Sequence, residues 1–177
     1  MADELPCYSV PFSGCYWVLP GRFLAGKYPG SADEAIQERR LTALARSGID
    51  VCIDLTEENE LPPYEPAWLR QVSEYARVGG YFRFCVKDYG LPSADLTRAV
   101  LEKLEALLAA GRNVYLHCWG GTGRTGTLVG CYLAQHGFLG EKALQELARL
   151  REPLGPGASR SPETPAQIEW VRAWKFR

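Results

Sequence analysis

The pattern of apolar and polar positions along the chain predicts strands that alternate with helices. The segments "IDVCIDL" (49–55) and "NVYLH" (113–117) are short and almost continuously apolar, which is typical of strands buried on both faces. The segment "YFRFCV" (81–86) predicts another strand. The segment "YWVLPGRFLAG" (16–26) predicts two short strands joined by a turn at its Pro-Gly pair.

Helical periodicity fills the stretches between these strands. The clearest case is residues 93–111, where apolar side chains at 96, 100, 101, 104, 107 and 108 form one stripe. The same reasoning predicts helices over residues 31–48, 66–78, 124–137, 141–152 and 164–176. Ser31 and Glu34 have the spacing of a capping box, and Gly48 is expected to end that helix.

Alternating strands and helices predict an α/β fold. We expect a mostly parallel central sheet of four to five strands, with helices on both faces and a short N-terminal strand pair. With 46% hydrophobic and 23% charged residues, the 177-residue chain fits a single domain over residues 1–177. Ligands of such sheets bind beyond the carboxyl ends of the strands. Two predicted strands deliver Cys118 and Asp88 to that edge.

Charge and cysteine usage narrow the classes of function. The net charge of −1 gives no indication of a basic surface that would bind nucleic acid. No apolar run approaches the roughly 20 residues of a membrane span. Residues 1–10 lack the features of a signal peptide, so a cytoplasmic location is expected. The six cysteines, at 7, 15, 52, 85, 118 and 131, have no metal-binding spacing. We therefore expect reduced, mostly buried thiols and no metal or other cofactor.

The segment "NVYLHCWGGTGRTG" (113–126) carries the clearest chemistry. A cysteine and an arginine separated by five residues occur by chance roughly once in every two chains of this composition, so the context matters more than the pair. Gly120, Gly121 and Gly123 can adopt positive φ and turn backbone N–H groups toward an anion at a helix N-terminus. Arg124 can bind two oxygens of that anion, and Cys118 lies where a nucleophile would attack its central atom.

The sequence "HCWGGTGRTG" resembles the H-C-x5-R-[ST] signature of cysteine-based protein tyrosine phosphatases. The chain's size and an upstream aspartate resemble the dual-specificity branch. The resemblance implies a phosphomonoester hydrolase, most simply a protein phosphatase that acts on phosphotyrosine, with phosphoserine and phosphothreonine as further candidate substrates. It implies that Cys118 forms a phosphocysteine intermediate and that the Thr125 hydroxyl stabilises the departing thiolate. His117 would brace the loop. The implied phosphate-binding residues are Trp119, Gly120, Gly121, Thr122, Gly123 and Arg124.

The segment "VKDYGLPS" (86–93) resembles the family's D-x-G-x-P acid loop. The resemblance implies that Asp88 protonates the leaving oxygen, although an aspartate also suits the start of a turn. Asp95 is expected to interact with a helix dipole, and Asp54 stays open as another candidate acid. Gln167 either positions the hydrolytic water, as a glutamine does in some relatives, or completes a capping box with Thr164.

Several side chains have two interpretations. Trp119 lies at the mouth of the site or packs in the core. The acidic run 57–60 is expected to be a solvated loop, or else to contact basic residues around a phosphosite. Another cysteine could supply a resolving thiol for an oxidised Cys118, and the candidates are Cys52, Cys85 and Cys131. We expect each of them to be buried and inert.

Two other classes of function compete with the enzyme. Residues 121–126 also satisfy G-x-G-x-x-G, but a predicted helix stands where a dinucleotide-binding domain needs its acidic strand end. A non-catalytic phosphate-binding module would lack the nucleophile, the arginine or the acid, and all three are present. The loop contains no lysine to meet additional phosphates, so a phosphorylated protein or a small phosphomonoester is favoured over an inositol lipid. The protein is expected to be a monomer.

Overall fold

Five strands and six helices alternate along residues 9–156, 158 and 160–175, which the computed structural model describes. The strands are β1 (Cys15–Leu19), β2 (Phe23–Gly26), β3 (Val51–Asp54), β4 (Gly80–Arg83) and β5 (Val114–His117). The helices are α1 (Glu34–Arg46), α2 (Glu65–Ser73), α3 (Ala94–Ala109), α4 (Gly123–Gln135), α5 (Glu141–Arg151) and α6 (Pro165–Ala173). A single 3-10 turn, Glu152–Leu154, follows α5. Cys7 and the predicted helical end at Phe176 lie outside the described residues.

The strands form one sheet in the order β1-β2-β5-β3-β4. Strands β2, β5, β3 and β4 run parallel to one another, and β1 pairs antiparallel with β2. This is the predicted α/β sheet with an N-terminal strand pair. Gly21 has φ +72° in the turn between β1 and β2, a conformation that glycine adopts without steric cost.

The sheet is covered on both faces, because successive side chains of each strand point to opposite sides. In β5, Val114 and Leu116 pack with α3, α4, α5 and α6, whereas Tyr115 packs with α1 and α2. In β3, Ile53 and Cys52 divide in the same way. Each such apolar side chain contributes about 1.5–3 kcal/mol when fully buried. The continuous apolar runs in the sequence reflect this double burial.

Helix caps follow the sequence closely, with one correction. The predicted cap Ser31 is wrong, because α1 begins at Glu34 and the side chain of Asp33 accepts from the N–H groups of Ala35 and Ile36. Only a residue adjacent to the first turn reaches those donors, and the Ser31 hydroxyl instead accepts from the N–H of Asp33.

Two other helix ends and one strand end are also informative. The capping box of Thr164 and Gln167 is present at the start of α6, as predicted. Helix α2 ends at Ser73, five residues before the predicted end, and Ala76 just beyond it has φ +54°. Strand β4 ends at Arg83, after which the chain turns toward the carboxyl edge of the sheet. Within the described ranges, no helix combines the length and apolarity needed to cross a bilayer.

Candidate active site

The loop between β5 and α4 presents a row of free backbone donors. Within the described part of the chain, no backbone N–H of residues 119–124 donates to a protein acceptor. Three of the loop's carbonyls are bonded to surrounding residues instead: Trp119 O accepts from the N–H of Tyr28 at 2.8 Å, Gly121 O from Arg151 Nη1 at 2.9 Å, and Thr122 O from the Ser161 hydroxyl at 2.8 Å. Unpaired N–H groups at a helix N-terminus form a cradle for an anion.

Gly121 lets this loop lie directly against the end of β2. Its φ is +72°, and a Cβ atom at this position would overlap the main chain of Gly26. The Thr125 hydroxyl, which is buried, donates to the Gly26 carbonyl at 3.4 Å. The cradle therefore rests on the sheet itself, which holds its N–H groups in place.

Arg124 lies in the first turn of α4 with its side chain only 2% exposed. Its Nη1 donates to Glu60 Oε2 at 2.7 Å and to the carbonyl of Val86 at 3.1 Å. Its Nη2 donates to Glu60 Oε1 at 2.6 Å and lies 2.9 Å from Asp88 Oδ1. Burial by itself lowers the pKa of Arg124, but the hydrogen bonds to Glu60 and the surrounding negative charges, which include Glu60 and Asp88, together outweigh it and raise the pKa overall. The guanidinium is therefore a permanent cation in the cradle.

Glu60 is a partner of Arg124 and not a solvated residue, which corrects one expectation for the acidic run. Its hydrogen bonds with Arg124 lower the pKa of its carboxyl group. The Glu57 carboxylate accepts from the N–H of Asp88 at 3.2 Å, and the N–H of Glu57 donates to Glu60 Oε2 at 2.8 Å. The sequence feature that could have indicated this contact is that the run directly follows β3, which places it at the carboxyl edge of the sheet.

Of the three candidate acids, only Asp88 lies against Arg124. Its side chain is 38% exposed, and it stands on the loop that follows β4. Asp54 is fully buried and accepts from Thr56, Tyr81 and Arg83, so its oxygens are occupied. Asp95 is exposed in the first turn of α3 and forms an ion pair with Arg98.

A buried aromatic and polar cluster supports the base of the loop. His117 Nδ1 donates to the carbonyl of Cys118 at 3.2 Å, so its Nε2 accepts from the Tyr64 hydroxyl at 2.5 Å. Burial lowers the pKa of His117 despite the nearby Asp54 carboxylate, and the ring is neutral at pH 7. This arrangement fixes the orientation of the peptide group after the nucleophile.

Two side chains from the C-terminal part of the chain hold the site from the other side. Gln167 Oε1 accepts from the N–H groups of Glu163 and Thr164, and its Nε2 donates to the carbonyl of Gly90 at 3.0 Å. It therefore caps α6 and also contacts the acid loop. Arg151, which sequence reasoning missed, is 7% exposed beneath Gly121. Its place in the last turn of a predicted helix carried no signal for this role.

The exposure of the cysteines and of Trp119 decides between several alternative interpretations of these residues. Cys118 is 3% exposed, and all five cysteines of the described residues are free. Burial raises the pKa of the Cys52 and Cys131 thiols, consistent with inert burial. The expectation of burial was wrong for Cys85, which is exposed. Trp119 is 57% exposed, so it does not pack in the core. The described residues contain no cluster of ligands that could hold a metal ion.

Comparison with known proteins places this chain among phosphatase domains. Residues 12–174 match the family model described as "Swiss Army Knife protein, DSP-PTPase phosphatase domain". The structure of Tk-PTP in its active form has a TM-score of 0.68 and 27% identity, and the match covers 85% of this chain and 89% of that chain.

Two curated relatives are much longer than this chain. One is the phosphatidylinositol 3,4,5-trisphosphate 3-phosphatase and protein-tyrosine-phosphatase PTEN1 of Arabidopsis thaliana, 32% identical over 102 residues, which are 56% of this chain and 23% of that protein. The other is the dual specificity protein phosphatase CDC14A of Mus musculus, 24% identical over 188 residues, covering 99% of this chain and 29% of that protein. The chain thus spans less than a third of the length of either relative.

Proposed function

Because the chain belongs to the DSP-PTPase family of phosphatase domains, we propose that it hydrolyses phosphomonoesters of protein side chains through a phosphocysteine on Cys118. One observation carries the proposal. The Asp88 carboxylate lies 2.9 Å from Arg124 Nη2, although 36 positions separate the two residues in the chain. The candidate acid thus stands at the cradle that follows the candidate nucleophile.

In the first step, the N–H groups of residues 119–124 and the Arg124 guanidinium bind the phosphate oxygens. The Cys118 thiolate attacks phosphorus, a P–S bond forms, and the bond to the leaving oxygen breaks. Asp88 donates a proton to that oxygen, so the product leaves as an alcohol or phenol. As charge spreads over the equatorial oxygens, the fixed donors stabilise it without reorganising.

In the second step, water attacks phosphorus, the Asp88 carboxylate accepts a proton from that water, and the P–S bond breaks. Inorganic phosphate and the Cys118 thiolate are released. The Thr125 hydroxyl, in the first turn of α4 beside the cradle, is the proposed donor to the departing sulfur, for which it gives up its long 3.4 Å bond to the Gly26 carbonyl. Gln167 is proposed to hold the acid loop through Gly90, because both ends of its amide are already bonded.

A phosphoprotein is the favoured substrate over a polyphosphorylated lipid. The name of the PTEN1 relative includes a lipid phosphatase activity, so a phosphorylated lipid is the alternative substrate. The cradle here contains no lysine, and the acidic run 57–60 lies beside it. Carboxylates near the mouth repel additional phosphate groups. The dinucleotide-binding alternative is not favoured, because α5 occupies the position where its acidic strand end is needed.

The test is hydrolysis of 4-nitrophenyl phosphate and of a phosphotyrosine peptide by the wild-type protein and by Cys118→Ser. The variant is expected to lose nearly all turnover, because a serine hydroxyl is a much weaker nucleophile than a thiolate. It should still bind inorganic phosphate, since the cradle is unchanged. Near-wild-type hydrolysis by Cys118→Ser would remove the covalent mechanism, and phosphate binding without turnover by the wild-type protein would favour a non-catalytic phosphate-binding module.

A further inference from the structure

A second buried arginine, Arg151, lies beside the cradle and has no carboxylate partner. Arg124 is held by Glu60 and Asp88. Arg151 is 7% exposed and forms no ion pair with any residue that the structure describes. Its guanidinium carbon lies 5.0 Å from the centre of the Tyr16 ring, and burial raises the pKa of Tyr16 to about 12, so this neighbour is uncharged. Because a guanidinium is always protonated in proteins, an unmatched positive charge lies behind the cradle.

The anion expected in the cradle would supply the missing partner of this charge. A buried ion without a counter-ion is unfavourable, since it has lost its hydration and gained little in return. A bound phosphate monoester carries a charge of about −1.5 to −2 at pH 7. The charge of Arg124 is already matched by Glu60, so Arg124 alone does not neutralise such a ligand. Arg151 and the N-terminus of α4, which is equivalent to about half a positive charge, supply the remainder.

The hydrogen bond from Arg151 also sets the direction of a donor in the cradle. Arg151 Nη1 donates to the carbonyl of Gly121 at 2.9 Å. The C=O and N–H of a trans peptide group point in opposite directions, so the N–H of Thr122 points away from Arg151 and toward the cradle. A cation bound to the carbonyl polarises the peptide group and makes its N–H a stronger donor. The Ser161 hydroxyl bonds the next carbonyl, that of Thr122, at 2.8 Å, but it adds no charge.

We propose that Arg151 is a positioning residue of the phosphate site, whose unmatched charge acts through the Gly121–Thr122 peptide group and strengthens the binding of a phosphate dianion. The proposal rests on the cradle of the proposed function and adds a second cation to it. Arg124 contacts the phosphate oxygens directly, whereas Arg151 acts from behind the loop. Its contribution therefore depends on the charge of the ligand.

The test compares Arg151→Gln and Arg151→Lys, each made in the Cys118→Ser protein so that ionisation of the thiol does not affect the measurement. Glutamine removes the charge and keeps an N–H donor, and lysine keeps both. Arg149→Gln is the matched control, because Arg149 lies on the same helix with a 62% exposed side chain paired with Glu146. Ser161→Ala removes the uncharged bond to the neighbouring peptide group. Thermal unfolding without phosphate shows whether each variant is folded.

The dissociation constant of inorganic phosphate is measured by calorimetry at about pH 8, where the ligand is mostly a dianion, and at about pH 5, where it is mostly a monoanion. In Arg151→Gln it should rise about tenfold at the higher pH. It should rise only about threefold at the lower pH, because halving the charge of the ligand halves the Coulomb energy. The other titrating groups of the site, Glu60, Asp88 and His117, are present in every variant, so the comparison at each pH isolates the charge of the ligand.

The other variants have their own expected results. Arg151→Lys and Arg149→Gln should stay within about twofold of the Cys118→Ser protein at both pH values. Ser161→Ala should lose about threefold at both, since a neutral hydrogen bond does not depend on the charge of the ligand.

An equal loss in Arg151→Gln at the two pH values would show that Arg151 only supports the loop, and would overturn the role of its charge. An unchanged constant at the higher pH, or an equally large loss in Arg151→Lys, would overturn it too. If Arg151→Gln does not fold, Arg151→Lys decides, and a loss above about tenfold contradicts the proposal. Failure of the proposed function looks different, since phosphate binding would then depend on Arg151 although the wild-type protein hydrolyses neither test ester. Absence of phosphate binding by the Cys118→Ser and wild-type proteins would overturn both.

Discussion

Arg124 is a buried cation whose charge is matched by carboxylates from two other loops. Glu60 holds both Nη atoms, and Asp88 contacts one of them. Removing one partner of a buried ion pair leaves the other charge uncompensated, which is much more costly than losing a surface pair. Glu60 therefore fixes the position of the guanidinium before any phosphate arrives.

Glu60→Gln tests this positioning role. We expect kcat/KM to fall by about tenfold to a hundredfold, because the guanidinium is a main donor to the transition state. We also expect the free energy of unfolding at pH 7 to fall by about 2 kcal/mol, as judged from urea denaturation. Glu58→Gln is the control, since Glu58 is an exposed neighbour in the same run.

The pH dependence of the Glu60 contribution has a definite sign. Arg124 lowers the pKa of the folded Glu60 carboxyl, so the stabilisation is present above the unfolded pKa of about 4.3. It is lost as the pH falls through the lowered folded pKa. The stability gap between the wild-type protein and Glu60→Gln should therefore close in acid. A gap that stays constant from pH 7 to acid would show that the charge of Glu60 is unimportant.

Asp88→Asn tests the proposed general acid. The loss in kcat should be large for esters whose leaving oxygen needs a proton, such as phosphotyrosine or an alkyl phosphate. It should be small for aryl phosphates with acidic leaving groups, which depart unaided. The measurement is the loss across phosphate esters of graded leaving-group pKa. A loss that is constant across the series would remove Asp88 from this role and return attention to Asp54 and Asp95.

At the scale of elements, the cradle depends on the close approach of the loop after β5 to the end of β2. The approach is possible because Gly121 has no side chain to collide with Gly26. The loop then opens into α4, whose N-terminal N–H groups and dipole face the bound anion. Strand, loop and helix therefore act as one unit.

Gly121→Ala should disrupt that unit, because the added methyl group is both strained at φ +72° and in collision with main-chain atoms. Gly137→Ala is the matched control, because Gly137 has φ +95° but no atom within 4 Å of the added Cβ. We expect Gly137→Ala to cost about 1–2 kcal/mol of stability with little loss of activity. Gly121→Ala should cost more and should abolish phosphate binding. Equal effects of the two substitutions on thermal unfolding and on phosphate inhibition would contradict the collision.

At the scale of the whole molecule, His117 connects the site to the face of the sheet that α1 and α2 cover, where its ring stacks on Tyr115. Its ring lies at the carboxyl end of β5 and contacts Tyr64, at the start of α2. Asp54 at the end of β3 accepts from Tyr81 and Arg83 of β4. The cluster thus connects the ends of three neighbouring strands and one helix directly beneath the cradle.

The buried neutral state of His117 predicts a pH dependence of stability. Because burial lowers its pKa in the folded protein, the unfolded chain binds an additional proton below its own pKa of about 6.5. The free energy of unfolding should therefore fall as the pH drops below that value, with a limiting slope of about 1.4 kcal/mol per pH unit. The chain has two histidines, and His136 is the 44% exposed one.

Proton NMR of the two imidazole rings checks this prediction directly. The titration midpoint of the His117 signal should lie below the ordinary value of about 6.5. His117→Asn assigns the signal and removes the corresponding slope in urea denaturation. Titration of His117 near its ordinary pKa in the folded protein would contradict the neutral, buried arrangement.

The sequence by itself determined the features that depend on neighbours in the chain. Continuous apolar runs and a Pro-Gly turn signal predicted the strands, and period-3.6 patterns predicted the helices, because each pattern follows from which faces of the element are buried. The family resemblance and the pairing of Cys118 with Arg124 were also readable, since one loop carries both. The capping box at Thr164 and Gln167 is equally local.

Only the tertiary structure decided which residues that are distant in the chain form ion pairs or lie in contact. Glu60 reaches Arg124 across 64 positions of the chain, and Arg151 reaches Gly121 across 30. Such pairings depend on the paths of loops beyond the strand ends, and these paths leave no periodicity in the sequence. The exposure of Trp119 was undecidable for the same reason. Whether an apolar side chain is buried or presented depends on what packs beside it, and at this loop nothing local specifies that neighbour.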